Sequence, residues 1–233
     1  MLGCMKRLSY KNIISIFLIT VSVNAQYLHV IGKEVFDNKG DKIILKGMGL
    51  GGWLVPEGYM LGTWGSPTSI RNRITDLIGE DSTEVFYEKF EKNYVAEEDI
   101  NQLAEWGFNS VRLPFHYKTL SPTYGSFNEK GFSVIDSVIA WCSRNEIYLI
   151  LDMHVAPGSQ SGDENADGDE GAKLWDSPEN QEWAVDIWGE IARRYATERW
   201  IGGYDLLNEP VLFNGGSQVR NLQRRMRNRI RKY

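Results

Sequence analysis

Gly202-Gly203-Tyr204-Asp205-Leu206-Leu207-Asn208-Glu209-Pro210 is the stretch whose reading decides the fold. Residues 204–207 read as a short apolar strand entered through a glycine pair, of the kind buried on both faces in a parallel sheet. Polarity then switches to Asn208 and Glu209, and Pro210 stops the strand. A proline cannot donate to a sheet ladder, and it biases Glu209 before it toward extended backbone. The pattern holds a carboxylate at a strand end with an amide beside it. In a barrel of parallel strands, chemistry sits at that end.

Outward from this stretch, strand-like runs alternate with helical patterns. Residues 29–36 and 42–47 flank a glycine-containing loop and read as a hairpin. Residues 43–45 continue into a glycine-rich strand end at 47–54, which carries Trp53 and leads into a loop with Glu57, Tyr59 and Trp64. From about 68 to 106 the spacing is helical in several pieces, ended by Gly107. Residues 109–115 form a strand in which Arg112 is a charge that is costly unless paired. His116 and Tyr117 follow it. A helix over 131–145 leads to a strand over 146–153 that ends Asp152-Met153-His154. A polar loop and a helix over 180–196 precede the opening stretch, and Val219, Leu222, Met226 and Ile230 mark a last amphipathic helix. The order is a hairpin, then a strand and helix repeated, which predicts βαβ units on a parallel sheet.

The 233 residues, 42% of them hydrophobic, suffice for one sizeable core. Lys6, Arg7 and Lys11 precede an apolar run at 13–23, and Val23-Asn24-Ala25 offers small residues for cleavage. Residues 1–25 therefore read as a secretory signal peptide, its apolar run too short to span a bilayer, and the protein as secreted, periplasmic or extracellular. Cys142 is then the remaining thiol, set in a helical apolar pattern as core filler rather than nucleophile. The net charge of −5 hides an acidic body, because ten of the 26 basic residues lie in the first 25 positions and in 220–233. Such a body argues against a nucleic-acid partner, and against a membrane beyond export.

Each strand of the alternation ends in a group suited to chemistry or to sugar: Trp53, then Arg112 with His116 and Tyr117, then Asp152 with His154, then Asn208 with Glu209. Histidine, arginine and asparagine around one glutamate suit glycoside hydrolysis. Glu209 would protonate the leaving oxygen and then deprotonate water, Asn208 would bond the sugar 2-hydroxyl, and Arg112 and His154 would fix carboxylates and hydroxyls. Trp53, Trp64 and Trp175 are expected as exposed faces for sugar rings, while Trp106, Trp141, Trp183, Trp188 and Trp200 are assigned to the core. Residues 163–169 match the first half of a calcium loop, but its twelfth position is Leu174, so they read as a solvated acidic loop near the cleft. No cofactor or metal is expected.

The runs LKGMGLGGWL, VRLPF, ILDMHVAPGSQ and GGYDLLNEP together resemble glycoside hydrolase family five, the cellulase family, and APGSQ is similar to its exo-1,3-glucanase-like branch. The resemblance implies an α/β fold, the N-terminal half of a (β/α)8 TIM barrel with its N-terminal hairpin, over residues 26–233. It implies a retaining enzyme that hydrolyses a β-glucan or related β-linked oligo- or polysaccharide, a monomer when full length. Glu209 would be the acid/base, with Arg112, His154 and Asn208 in the site and Glu57 near substrate. The family's nucleophile is a second glutamate near the end of strand seven. The chain stops inside helix four, so a truncated product without normal turnover is expected. A non-catalytic carbohydrate-binding half barrel and a pair of half barrels are the alternatives.

Overall fold

The computed structural model describes residues 27–37, 39–212 and 216–233. The expected signal peptide, 1–25, lies outside the described residues. The described chain opens with β1 (His29–Ile31), β2 (Glu34–Phe36) and β3 (Lys42–Ile43), a three-stranded antiparallel sheet. The single strand expected over 29–36 is folded back on itself. Gly32 takes a φ of 65°, which a tight turn needs, and Val30 then faces Val35.

Four parallel strands follow in the order β4 (Gly47–Gly49), β5 (Ser110–His116), β6 (Tyr148–Val155) and β7 (Ile201–Asp205). Helices α1 (Gly58–Leu61), α2 (Pro67–Ile78), α3 (Glu80–Tyr94) and α4 (Glu97–Glu105) lie between β4 and β5. Helices α5 (Tyr117–Leu120) and α6 (Glu129–Arg144) link β5 to β6, and α7 (Pro178–Arg194) links β6 to β7. Helix α8 (Gly216–Ile230) comes last. Sequence punctuation explains the helix starts: Ser66 and Ser177 cap α2 and α7 by accepting from Ser69 N and Asn180 N, each ahead of a first-turn proline.

Strand alternation sorts the sheet's two faces. Val111, Leu113, Phe115, Leu149, Leu151 and Met153 are fully buried with the apolar stripes of α6 and α7, and Phe115 meets the Trp188 ring edge-on. Each such side chain contributes about 1.5–3 kcal/mol by leaving water. The intervening positions bring Arg112, Pro114, Asp152 and Asp205 to the other face, with Pro114 opposite Asp152 and Asp152 opposite Asp205. Pro114 is tolerated inside a central strand because β4 has ended. The carbonyl of Arg112 accepts from Leu50 N, the last such bond of that pair, and Pro114 points the same way two residues later.

The strand expected at 204–207, entered through the glycine pair, runs instead from Ile201 to Asp205, with the pair inside it. A Cβ at Gly202 would lie 2.8 Å from Tyr148 Cβ and 3.2 Å from Leu28 Cδ1. The strand passes that close because the position carries no side chain.

Candidate active site

The C-terminal ends of the parallel strands open into a cleft of about 620 Å³, whose lining includes Glu57, Tyr59, Arg112, His154, Asn208 and Glu209. Its floor is an ionic network. Asp152 has no exposed surface, and its Oδ2 lies 2.9 Å from Arg112 Nη2, an ion pair, and 2.7 Å from His154 Nδ1. Burial pushes the Asp152 carboxyl above its usual range, against the pull of His154 and Arg112. Arg112 also donates through Nε and Nη2 to Asp205 Oδ2, at 3.2 and 3.0 Å, and through Nη2 to Asn208 Oδ1 at 2.8 Å. The costly charge in β5 is thus paired with two carboxylates rather than one. Because Asn208 Oδ1 faces Arg112, its Nδ2 is turned toward His154 Nε2, 3.4 Å away.

Glu209 departs from the expected extended backbone. Its φ is 40°, in the left-handed region that non-glycine residues rarely enter. Contacts on both sides override the local bias of the following proline. Asn208 N donates to Met153 O at 3.1 Å, Asn208 O accepts from Gln160 Nε2 at 2.9 Å, and Val211 N donates to Gln160 O at 3.2 Å. Glu209 is left to bridge two fixed points, and the resulting strain costs about 1–3 kcal/mol. Its carboxylate reaches the cleft, where Asn165 Nδ2 donates to Oε2 at 3.0 Å.

Glu57 and Glu164 line the cleft with Glu209, and Glu57 is the buried one of the three. It sits just before α1, and burial raises its pKa, with the neighbouring Glu209 adding to the rise and His154 and Arg112 opposing it.

Other expected site residues lie elsewhere. Trp53 and Trp175 are core residues at 3% and 5% exposure rather than exposed sugar faces. The reason is a buried carbonyl for each indole N–H: Glu91 O for Trp53 and Gln160 O for Trp175. Trp64 is exposed, at 71%, with Arg73 over its ring. Trp106, assigned to the core, is 67% exposed where α4 ends. His116 and Tyr117, expected to bind substrate, are not among the residues lining the cleft. His116 Nε2 lies 3.1 Å from Asp167 Oδ2, and Tyr117 packs edge-on to Trp183 with its hydroxyl pushed up to about 12 by burial.

The loop expected to be a solvated acidic stretch is folded against residues 65–68, and its carboxylates accept their N–H and hydroxyl groups. Among the described residues, no cluster of three or more His, Cys, Asp and Glu is disposed to hold a metal. Sequence reasoning passed over Gln160, Asn165 and Asp205. Gln160 is fully buried, and the available signal in the sequence was an amide side chain closing the Pro157-Gly158-Ser159 turn.

The sequence profile of Cellulase (glycosyl hydrolase family 5) matches residues 74–233. A β-xylosidase of Phanerodontia chrysosporium is 36% identical over 188 residues, 79% of this chain and 40% of that protein. A probable glucan 1,3-β-glucosidase A of Aspergillus clavatus is 26% identical over 223 residues, 91% of this chain and 52% of its own length. A crystal structure of endogalactoceramidase superposes with a TM-score of 0.64 over 89% of this chain and 50% of that one, at 21% identity, a likeness of fold. The chain thus spans about half or less of the length of these relatives. Its parallel sheet of alternating strands and helices corresponds to part of the TIM barrel, and the chain belongs to the cellulase family, glycosyl hydrolase family 5.

Proposed function

We propose that this chain carries the acid/base half of the active site of a retaining β-glycosidase acting on a β-glucan or a related β-linked polysaccharide. The observation that carries the reading is Glu209 on the cleft, next to an Asn208 whose amide is held by Arg112. In the first step the proton of Glu209 passes to the glycosidic oxygen as its bond to the anomeric carbon breaks and a carboxylate nucleophile takes that carbon. In the second, Glu209 takes a proton from the water that releases the sugar. Asn208 Nδ2, its Oδ1 occupied by Arg112, is the donor available to a sugar hydroxyl.

The nucleophile is assigned to another strand of the barrel. A retaining pair stands about 5–5.5 Å apart, and the nearby carboxylates have other work. Asp152 is buried against Arg112 and His154, Asp205 is bound by Arg112, and burial favours the neutral form of Glu57. The reading includes export directed by residues 1–25.

The test is hydrolysis of aryl β-glycosides by the full-length gene product and its Glu209→Gln variant. Loss of about 10²–10⁴ in kcat is expected for an acid/base residue. Unchanged turnover by the variant overturns the assignment, and sugar binding without turnover by the parent protein favours a binding module.

A further inference from the structure

The acidic loop after β6 closes on the start of α2. Glu164 Oε2 accepts from Gly65 N at 3.1 Å and Asp169 Oδ2 from Ser66 Oγ at 2.6 Å. Asp167 accepts from Thr68 twice, from N at 2.8 Å and from Oγ1 at 2.6 Å. On its other side Asp167 Oδ2 meets His116 Nε2 at 3.1 Å, and Lys118 Nζ lies 3.6 Å away. The tautomer of His116 follows from its second nitrogen: Nδ1 accepts from Lys118 N, so the proton sits on Nε2 and points at Asp167. Burial raises the Asp167 carboxyl, but the hydrogen bonds from His116 and Thr68 outweigh it and hold the group well below the usual carboxylate range.

Two residues before Asp167, Asn165 donates to Glu209 Oε2. A single tight turn joins them. Ala166 N and Gly168 N both donate to Asp163 O, Asp167 N donates to Glu164 O, and Ala166 is 1% exposed. A displacement of Asp167 therefore displaces Asn165. A donor on Oε2 also biases where the Glu209 proton resides, because the carbonyl oxygen of a carboxylic acid accepts a hydrogen bond better than its hydroxyl oxygen, which favours Oε2 as the carbonyl and Oε1 as the proton carrier.

We propose that Asp167 is a positioning residue for Glu209: pinned by His116 and Thr68, it holds the turn that sets Asn165 on Oε2 and so aims the transferable proton from Oε1. This rests on the acid/base reading of Glu209. Asn165 is the arm of the device, and His116 and Thr68 are its anchors.

The test is kcat/KM of the full-length gene product on aryl β-glycosides of graded leaving ability, from dinitrophenyl to phenyl. An activated leaving group departs without protonation, whereas a poor one needs it. In Asn165→Ala and Asp167→Ala, kcat/KM for the phenyl glycoside should fall about tenfold or more while that for the dinitrophenyl glycoside changes less than about threefold. The double variant should be no worse than Asn165→Ala alone, since both act through one contact. Equal losses on the two substrates, or losses that add, overturn the proposal. Asn165→Ala removes only a partly exposed loop side chain, so it decides the matter if Asp167→Ala folds poorly. Glu209→Gln separates the two levels. If Glu209→Gln shows the leaving-group dependence and the Asp167 and Asn165 variants do not, the positioning role falls and the acid/base reading stands. If Glu209→Gln shows none, the acid/base reading itself falls.

Discussion

Gln160 Nε2 donates to the carbonyl of Asn208 at 2.9 Å, tying the peptide just before Glu209 to the loop after β6. The same amide nitrogen donates to His154 O at 2.7 Å, and Oε1 accepts from Ala156 N at 3.1 Å. A carboxylate at this position would face two carbonyl oxygens with no proton to offer. Gln160→Glu should lower stability by about 2–3 kcal/mol, the cost of leaving buried polar groups unpaired, and should lower kcat as well. Urea unfolding reads the first effect and steady-state kinetics the second. An unchanged midpoint would show that Gln160 does not hold the cleft.

Arg112 and Asp152 form a pair of which one member is wholly buried. Removing the guanidinium strands that carboxylate, so Arg112→Ala should cost about 3–5 kcal/mol. Arg112→Ala combined with Asp152→Asn should recover part of the loss, because the stranded charge is gone. Denaturant midpoints of the two single variants and the double variant measure the coupling, and simple additivity contradicts it.

Glu57 gives a pH signature with a definite sign. Its folded pKa is raised by burial, so just above the usual carboxylate range the folded protein holds a proton that the unfolded chain has released. Stability is then lost as pH rises through that window, and the loss persists above it. Glu57→Gln lacks the titration. The melting temperature of Glu57→Gln minus that of the parent should therefore climb as pH rises from the usual carboxylate range through the raised value, then level off. A flat difference would falsify the assignment of that strain to Glu57.

Glu209 trades stability for placement. Its φ of 40° is unfavourable for any side chain but open to glycine. Glu209→Gly should be more stable than Glu209→Gln by roughly 1 kcal/mol although both lack the carboxylate. Thermal unfolding of the two variants side by side tests this, and equal stability would show the backbone unstrained.

Cys142 is fully buried, and burial pushes its thiol up to about 12. In a Cys4→Ser variant in native buffer at about pH 8, Cys142 should not react with a disulfide reagent such as DTNB, and it should titrate fully in guanidinium. Fast labelling of the native protein would place the thiol at the surface.

What was legible in the sequence was whatever depends on local period. The alternation of β5, α6, β6 and α7 showed in runs such as residues 111–115 and in the spacing of Ile135, Val138, Ile139 and Cys142. Arg112, His154, Asn208 and Glu209 pointed to the cleft because parallel strands deliver their ends to one side, whereas His116, Tyr117 and Trp53 lie outside its lining. The misreadings share a cause in contacts distant along the chain. Trp53 and Trp175 are drawn inside by carbonyls of Glu91 and Gln160, which no local pattern reveals. The backbone of Glu209 obeys Gln160 and Met153 rather than Pro210. The acids of the 163–169 run read as solvated from the sequence because their partners, Gly65, Ser66 and Thr68, stand about a hundred positions earlier.

That last pairing limits how the protein can be rebuilt. Loops at strand ends are ordinarily the interchangeable parts of a scaffold, varied while the frame stays constant. Here the loop after β6 also supplies acceptors to the first turn of α2, so replacing it alone would strip Thr68 N and Ser66 Oγ of their partners. Grafting from a relative would succeed only with residues 65–68 and 163–169 moved together, as one inheritable unit split across the sequence.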